Sequence, residues 1–240
     1  VKQALNDGEL QKSVPLSSAN SISLGRLLPQ MSYYAASSLA FWRERGEPLN
    51  FVVPTGNLGN AFAAILTRAC GLPAGRIALA TNANRVLPDF FAGEAYSPQP
   101  SLATLANAMD VGAPSNFERL QWLYPDPDQL RAAFVARSIP DETIRATIRD
   151  LHARTGEIVC PHTATALSLL TALRDEGERG PWAVAATAHP AKFESIVEPL
   201  IGRAVPVPPA LLALLARPAR AEPLAADYAA LRDRLNVLTG

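Results

Sequence analysis

An excess of charge of one sign is missing from this 240-residue sequence, and so are frequent cysteines and long apolar runs. Lys plus Arg and Asp plus Glu both number 22, so the zero net charge favours neither nucleic acid nor an anionic membrane as a partner. No apolar run is long enough to span a bilayer. The two cysteines, Cys70 and Cys160, lack metal-ligand spacing and argue against a disulfide framework. These absences predict a cytoplasmic protein that binds a small molecule and holds no metal.

One stretch of the sequence combines a short apolar run, a turn marked by glycines and an alanine-rich run. It reads FVVPTGNLGN over residues 51–60 and continues as AFAAIL over 61–66. A strand that enters a helix through such a turn directs backbone N–H groups and the positive end of the helix dipole at one small volume, which suits phosphate. We expect Gly56 and Gly59 to allow positive φ and close ligand approach, and Asn57 and Asn60 to add amide donors. A purely structural turn is the alternative.

Alternating strand and helix patterns indicate an α/β fold. Apolar runs at 51–54, 76–81 and 181–187 predict strands, and the run at 61–70 predicts a buried helix. A strand, a helix and a second strand make a βαβ unit, so we expect three αβα layers around a mostly parallel, doubly wound sheet. Ligands of such sheets gather at the carboxyl ends of the strands, where the glycine turn and polar residues 81–84 both fall.

The chain divides into three predicted parts: residues 1–20 as the end of a preceding segment and a connection, 21–205 as the main domain, and 206–240 as a tail with a terminal helix. A helical period starting at Ile22 contains Pro29, which we expect to kink or divide that helix. We also predict a helix over 126–137 and a helix N-cap at Asp141.

Several polar residues outside the glycine turn are candidates for ligand contacts. Four polar residues lie where a loop enters a predicted helix and are candidates for binding a substrate phosphate: Ser18, Asn20, Ser21 and Arg26. His162 opens another predicted helix and is a candidate catalytic group, although a structural hydrogen bond is the stronger interpretation of such a histidine. The irregular connection over 98–114 is long enough to be functional.

The turn sequence PTGNLGN resembles the PxGNxG phosphate loop of the threonine synthases, which are pyridoxal 5'-phosphate enzymes of fold type II. Further matches to that family follow the same chain order: SANSISLGRLLPQMSYY (18–34), ATNANRVLPDFFAGE (80–94), TLANAMDV (104–111), SNFERL (115–120), PHTATAL (161–167) and TAHPAKFE (187–194). The resemblance covers most of the chain and implies the large domain of a fold type II enzyme. It also implies the reaction, in which O-phospho-L-homoserine and water give L-threonine and phosphate.

The resemblance assigns cofactor contacts to six residues. The residues that it places around the cofactor phosphate are Gly56, Asn57, Leu58, Gly59 and Asn60. Thr187 is implied as the partner of the pyridine nitrogen. A neutral hydroxyl holds that nitrogen protonated less firmly than a carboxylate does, which weakens the ring as an electron sink.

Lysine is scarce in this sequence, and the scarcity bears on the resemblance. The family's Schiff-base lysine lies in an SFKD-like motif that is absent here, and the lysines present are Lys2, Lys12 and Lys192. Lys192 belongs to HPAKF, a different family motif, and is interpreted as structural. Similar proteins usually carry an acidic residue where Cys160 stands. We therefore expect the C-terminal part of a threonine synthase, inactive without a missing N-terminal segment and prone to self-association.

Three alternatives remain open at this stage. A β-eliminating relative such as a threonine dehydratase would share the phosphate loop, although SANSIS and HPAKF favour threonine synthase. A dinucleotide-binding module is disfavoured because no GxGxxG follows a predicted strand. A non-catalytic interaction domain derived from the enzyme is kept open by the missing lysine motif.

Overall fold

The computed structural model describes residues 2–218 and 221–239. The helices are α1 Lys2–Asn6, α2 Gly8–Ser13, α3 Leu24–Arg45, α4 Gly59–Ala69, α5 Val86–Phe91, α6 Phe117–Leu123, α7 Pro127–Ala133, α8 Asp141–Thr155, α9 Pro161–Asp175, α10 Glu194–Ile201, α11 Pro209–Leu215 and α12 Tyr228–Thr239. The strands are β1 Leu49–Pro54, β2 Ala74–Thr81, β3 Val135–Ser138 and β4 Trp182–Val184. Short 3-10 turns lie at Asn107–Met109 and Pro190–Lys192. Across the described ranges, no helix has the length and apolarity needed to cross a membrane.

Residues 21–206 form one compact unit around a sheet with the strand order β3-β2-β1-β4. All three strand pairs are parallel, and Val53 lies opposite Leu79 while Val52 lies opposite Val184. Parallel neighbours need crossover connections, which the helices between the strands supply. The predicted parallel α/β sheet is therefore confirmed.

Helices cover both faces of this sheet because its two central strands are apolar on both faces. Phe51 and Val53 of β1 belong to the same buried cluster as Leu79 of β2 and the apolar residues of α4. Val52 and Ala78 point to the opposite face and are also buried. Helix α9 packs against β1, β2 and β4, and α8 packs against α9. The result is the expected three-layer arrangement.

The predicted helix over residues 126–137 is wrong in its second half. Helix α7 ends at Ala133, and Val135–Ser138 forms β3, the strand beside β2. Only Ala136 of this strand is buried, so its four residues show neither a long apolar run nor a clear alternation. The last strand is also shorter than predicted, since β4 ends at Val184 rather than at Thr187.

Two predictions about helix punctuation also need correction. Pro29 does not divide α3, which continues for 22 residues with the proline in its second turn, while a kink at this position stays a prediction. Asp141 is the first residue of α8 rather than its N-cap, and Pro140 holds the cap position. The Asp141 carboxylate instead accepts a hydrogen bond from the backbone N–H of Leu105, at 3.2 Å.

A second unit combines residues 2–20 with the described part of 207–239. Its small apolar cluster contains Ala4, Leu10 and Val14, with Leu16, Tyr228, Leu231 and Leu235 packed against it. The Asp7 carboxylate caps α2 by accepting from the N–H groups of Glu9 and Leu10, and it also accepts from the Tyr228 hydroxyl. The Tyr228 hydrogen bond is the leading cause that lowers the pKa of Asp7.

Candidate functional site

The glycine turn lies at the carboxyl end of β1 and leads directly into α4. Thr55 is buried and donates its backbone N–H to the carbonyl of Ala80 at 2.8 Å, which extends the pairing of β1 with β2 by one residue. Residues 56–58 then turn, and Leu58, at the N-cap of α4, has φ 61° and is buried. A left-handed leucine is uncommon, so packing around its side chain must offset the local strain.

The backbone of this turn presents a row of unused donors. Within the described ranges, no backbone or side-chain acceptor pairs with the N–H groups of residues 56–60. They lie at the start of an 11-residue helix, whose dipole adds positive potential at the same end. Such an arrangement is a candidate anion site.

The two glycines of the turn are needed for a different reason from the one expected. Neither Gly56 nor Gly59 has positive φ. A Cβ at Gly56 would lie 2.7 Å from the Cα and carbonyl oxygen of Met109, and a Cβ at Gly59 would lie 2.7 Å from the Cβ of Ser21. Both glycines therefore permit close packing of the loop on other segments of the chain.

Asn57 ties the loop to two distant segments. Its side chain donates to the Ser21 hydroxyl at 2.6 Å and accepts from the Ser115 N–H at 2.5 Å. The buried Asn116 amide donates to the Asn57 carbonyl at 2.8 Å and to the Ser21 carbonyl at 3.2 Å. Asn57 and Ser21 are thus brought together, and the expected ligand-facing amide of Asn57 is bonded within the chain.

Asn60 is similarly bonded to helix α3. Its side-chain oxygen accepts from the Tyr34 hydroxyl at 2.5 Å, and its nitrogen donates to Gln30 at 2.7 Å and to the Tyr33 hydroxyl. Burial raises the pKa of both tyrosines, so both phenols stay protonated at neutral pH. The amide of Asn60 therefore fixes the start of α4 against α3.

A cavity of about 990 Å³ opens beside this network, between α3 and β4. Three of the predicted site residues, Arg26, Asn60 and Thr187, line it together with Tyr33. Thr187 lies in an exposed coil three residues beyond β4. The cavity therefore combines a guanidinium with amide and hydroxyl groups at one edge of the sheet.

The carboxyl end of β2 carries a second buried polar cluster. The Asn82 amide donates to Asp110 and to Thr104, both at 2.7 Å. Asn84 exchanges two hydrogen bonds with the backbone of Leu102, at 2.8 and 2.9 Å. These contacts hold residues 102–110, including the Met109 backbone that packs on Gly56. The irregular connection is therefore anchored to the sheet.

His162 and Cys160 lie at the start of α9. The His162 ring accepts the Ala108 N–H at Nε2, 3.1 Å away, and contacts the Phe193 ring. Burial lowers the pKa of His162. The Cys160 sulfur, at the N-cap, accepts the Thr163 N–H at 3.5 Å. In the part of the chain that the structure describes, no group of three His, Cys, Asp or Glu side chains could hold a metal ion.

The other predicted substrate residues fall in both units. Ser18 and Asn20 belong to the unit of the chain ends, and their mutual hydrogen bond is 3.4 Å long. Ser21 and Arg26 belong to the sheet unit. A joint role for the four in binding phosphate stays a prediction.

Several residues that shape the site escaped sequence reasoning. Met109, Ser115 and Asn116 contact the glycine turn from more than 50 positions away. Tyr33 was part of the motif match over residues 18–34 and was given no role of its own. Met109 lies in the motif match TLANAMDV, and Ser115 and Asn116 lie in SNFERL. These motif matches, rather than any local pattern, were the signal that could have found the three residues.

Comparison with known proteins agrees with the resemblance. Residues 163–234 match the family model "Threonine synthase, C-terminal". The chain is 38% identical to the threonine synthase of Serratia marcescens over 98% of its own length and 54% of that protein. The crystal structure of the Escherichia coli threonine synthase superposes with a TM-score of 0.86 at 38% identity, over 98% of this chain and 54% of that one.

A second solved structure supports the same assignment. The threonine synthase of Brucella melitensis with bound PLP gives a TM-score of 0.86 at 27% identity, over 99% of this chain and 56% of that one. The expected fold and the motif resemblance are therefore confirmed. Sequence and fold together identify this chain as a relative of the threonine synthases that spans about half of their length.

Proposed function

We propose that this chain forms the phosphate-binding part of a pyridoxal 5'-phosphate (PLP) enzyme, threonine synthase, which converts O-phospho-L-homoserine and water to L-threonine and phosphate. The observation that carries the proposal is the row of backbone N–H groups at residues 56–60, which have no acceptor in the described residues. The relative from Brucella melitensis has PLP bound and shares this fold, which supports the proposal.

The residues of the turn suit a phosphate monoester. Backbone donors and a helix dipole bind a dianion without a cationic side chain, and their positions are fixed before the ligand arrives. Gly56 and Gly59 have no side chains that could shield these donors. The flanking amides of Asn57 and Asn60 hold the loop by their bonds to Ser21 and α3. The cradle is therefore preorganised, which lowers the cost of binding.

The cavity next to the cradle offers groups for the remainder of the cofactor and for substrate. Bound PLP supplies an electron sink for carbanion chemistry at the amino acid. The Thr187 hydroxyl is the proposed neutral partner of the ring nitrogen, and the Arg26 guanidinium is the proposed partner of the substrate phosphate. The Tyr33 phenol has a raised pKa and supplies a hydrogen-bonding group rather than a charge.

The lysine that attaches the cofactor is not assigned to these residues. Lys192 is exposed in the 3-10 turn that follows Thr187, and Lys12 forms an ion pair with Glu9 in the other unit. We infer that the 240-residue chain binds PLP non-covalently and does not turn over O-phosphohomoserine by itself.

The experiment compares pyridoxal 5'-phosphate with pyridoxal, which lacks the phosphate. We expect the phosphate form to bind the 240-residue chain at least about tenfold more tightly, as a well-paired anion contributes about 1.4 kcal/mol or more. Treatment with borohydride followed by mass spectrometry should then show no covalent adduct. Assays for phosphate release from O-phosphohomoserine and for deamination of threonine should both be blank.

Each departure from this pattern has a distinct meaning. Equal affinity for the two compounds would contradict the phosphate cradle and leave the non-catalytic interaction domain as the better function. A stoichiometric adduct on Lys192 with phosphate release would show that this lysine anchors the cofactor. Threonine deamination without phosphate release would instead favour the dehydratase alternative.

A further inference from the structure

His162 is a buried titratable group to which the proposed function gives no role. The residue is 3% exposed, and the Nε2 atom of its ring accepts the Ala108 N–H at 3.1 Å. A ring nitrogen that accepts must carry a lone pair, so the proton of the neutral ring is on Nδ1. Within the described ranges this Nδ1 is buried without a hydrogen-bond partner. Among the described residues, the hydrogen bond of the ring is therefore the one to Ala108, while its face packs against Phe193.

Ala108 directly precedes Met109, whose backbone packs against Gly56 of the phosphate loop. It lies in the 3-10 turn Asn107–Met109, and the Met109 backbone would be 2.7 Å from a Cβ at Gly56. The flanks of this turn are held independently, by Asp110 bonded to Asn82 and by Leu105 bonded to Asp141. Among the described residues, His162 supplies the side-chain hydrogen bond to the turn Asn107–Met109 itself. A shift of Ala108 would consequently move Met109 relative to Gly56.

We propose that His162 is a positioning residue for the phosphate loop: the neutral ring holds Ala108 so that Met109 packs on Gly56, and protonation of the ring releases that contact. The inference rests on the proposed function of residues 56–60. A protonated imidazole has two N–H donors, so Nε2 can no longer accept from Ala108. Met109 would then no longer be held against Gly56, although residues 56–60 themselves are unchanged.

The charges around the ring set the pH range of this effect. Burial lowers the pKa of His162 below its ordinary 6.5, the nearby Lys192 lowers it further, and Asp110 opposes both. Because the folded-state pKa is lowered, the contact is fully present above about pH 6.5 and is lost as the pH falls through the lowered pKa. At neutral pH the ring is therefore in its holding state.

The test uses two variants of His162 in the whole chain and one matched control. His162→Gln places a non-titrating amide oxygen near the position of Nε2, whereas His162→Leu removes the acceptor. His152→Gln is the control, because His152 lies on α8 and contacts the Gly156 carbonyl at 3.2 Å. Pyridoxal 5'-phosphate affinity is measured from pH 5 to pH 8, and the ratio of wild type to His162→Gln at each pH cancels the titration of the ligand.

We expect His162→Leu to bind about tenfold more weakly at pH 8, since a lost hydrogen bond to a buried group costs about 1.4 kcal/mol. The affinities of His162→Gln and of the His152→Gln control should stay within about twofold of wild type at pH 8. As the pH falls below 6.5, the affinity should decrease in wild type and in the control, whereas His162→Gln should lack this additional decrease. Equal pH profiles for wild type and His162→Gln, or unchanged affinity in His162→Leu, would overturn the inference.

Amide hydrogen exchange without ligand separates this inference from the proposed function. In wild type, the hydrogen-bonded amides of Ala108, Met109 and Asp110 should lose protection below pH 6.5, and His162→Gln should retain that protection. If no variant binds PLP, the cradle is wrong, and exchange still decides the role of His162. If the protection of Ala108 has the same pH dependence in wild type and in His162→Gln, the role of His162 is refuted even if His162→Leu fails to fold.

Discussion

The two walls of the cavity beside α3 are built in different ways. The loop wall, residues 56–60, is cross-linked by amides to two distant segments: to Ser21 and Gln30 around the start of α3, and to Asn116 at the N-cap of α6. The strand wall, residues 182–187, consists of a three-residue strand with half-buried side chains, followed by exposed coil. Geometry is therefore enforced by distant contacts on one side, whereas the other side depends on pairing with β1 alone among the described strands.

The most damaging change should be a branched side chain at Gly56. Gly56→Val would place atoms on the backbone of Met109, which cannot move aside as a flexible side chain can. We expect a loss of about 3 kcal/mol in the free energy of unfolding, measured with denaturant, together with loss of PLP binding. Gly8→Val is the control, because nothing lies within 4 Å of a Cβ there. Equal stability of the two variants would show that the loop wall is not tightly packed.

Removing the Asn116 amide should be the next largest perturbation. Asn116→Ala leaves the carbonyls of Ser21 and Asn57 without this donor in a buried site, at a cost of about 2 kcal/mol. PLP affinity should fall as well, because the loop is no longer tied to Ser21. The exposed Asn6 supplies the control as Asn6→Ala, and circular dichroism during thermal unfolding gives the comparison. If Asn116→Ala and Asn6→Ala unfold at the same temperature, the contacts made by Asn116 do not stabilise the loop wall.

The strand wall should respond to charge rather than to truncation. Ala183 is half-buried on β4, which is an edge strand among those described, and open edges promote association between chains. We predict that the chain self-associates at high concentration and that Ala183→Lys reduces the association, as measured by sedimentation. Ala36→Lys, on the exposed side of α3, serves as the control. Identical association of both variants with wild type would place the contact elsewhere.

The smallest effect on stability should come from Thr187. Because Thr187 is exposed, Thr187→Val should change the free energy of unfolding by less than about 0.5 kcal/mol. It should nevertheless shift the absorption of bound PLP if its hydroxyl meets the pyridine nitrogen. Thr143→Val, at an exposed position on α8, gives the baseline. An unshifted spectrum would return Thr187 to the status of an ordinary coil residue.

The sheet could be predicted from the sequence where its strands are buried on both faces. Strands β1 and β2 have continuous apolar runs, and both are buried in the sheet, so the local pattern agrees with the position in the fold. The glycine turn that follows β1 marks where that strand ends. Strand β3 has one buried residue in four and follows directly after a helix, so its residues carry the pattern of neither element. The edge formed by β3 was therefore the part of the sheet that could not be predicted, whereas the other edge strand, β4, was predicted but is shorter than expected.

The site shows the same division. The position of the glycine turn at residues 56–60 followed from the sequence of the turn itself, and so did its connection to α4. The reason for its glycines did not, because Met109 and Ser21 reach Gly56 and Gly59 only in the folded chain. The expectation of positive φ failed for that reason, and the left-handed residue is Leu58. Side-chain roles that depend on contacts far apart in sequence need the structure.

The small unit that joins residues 2–20 to the described part of 207–239 can assemble only late in synthesis. Asp7 and Tyr228 are hydrogen-bonded across 221 positions, and Leu10 and Val14 are buried with residues of α12. At about 5–20 residues per second, α2 emerges roughly ten seconds or more before its partner exists. During that interval its apolar face is available to chaperones, and on a crowded polysome it is also available to α12 of a neighbouring copy. An exchange of α12 between two chains would preserve every contact of this small cluster, so a swapped dimer is the misassembly that the arrangement invites.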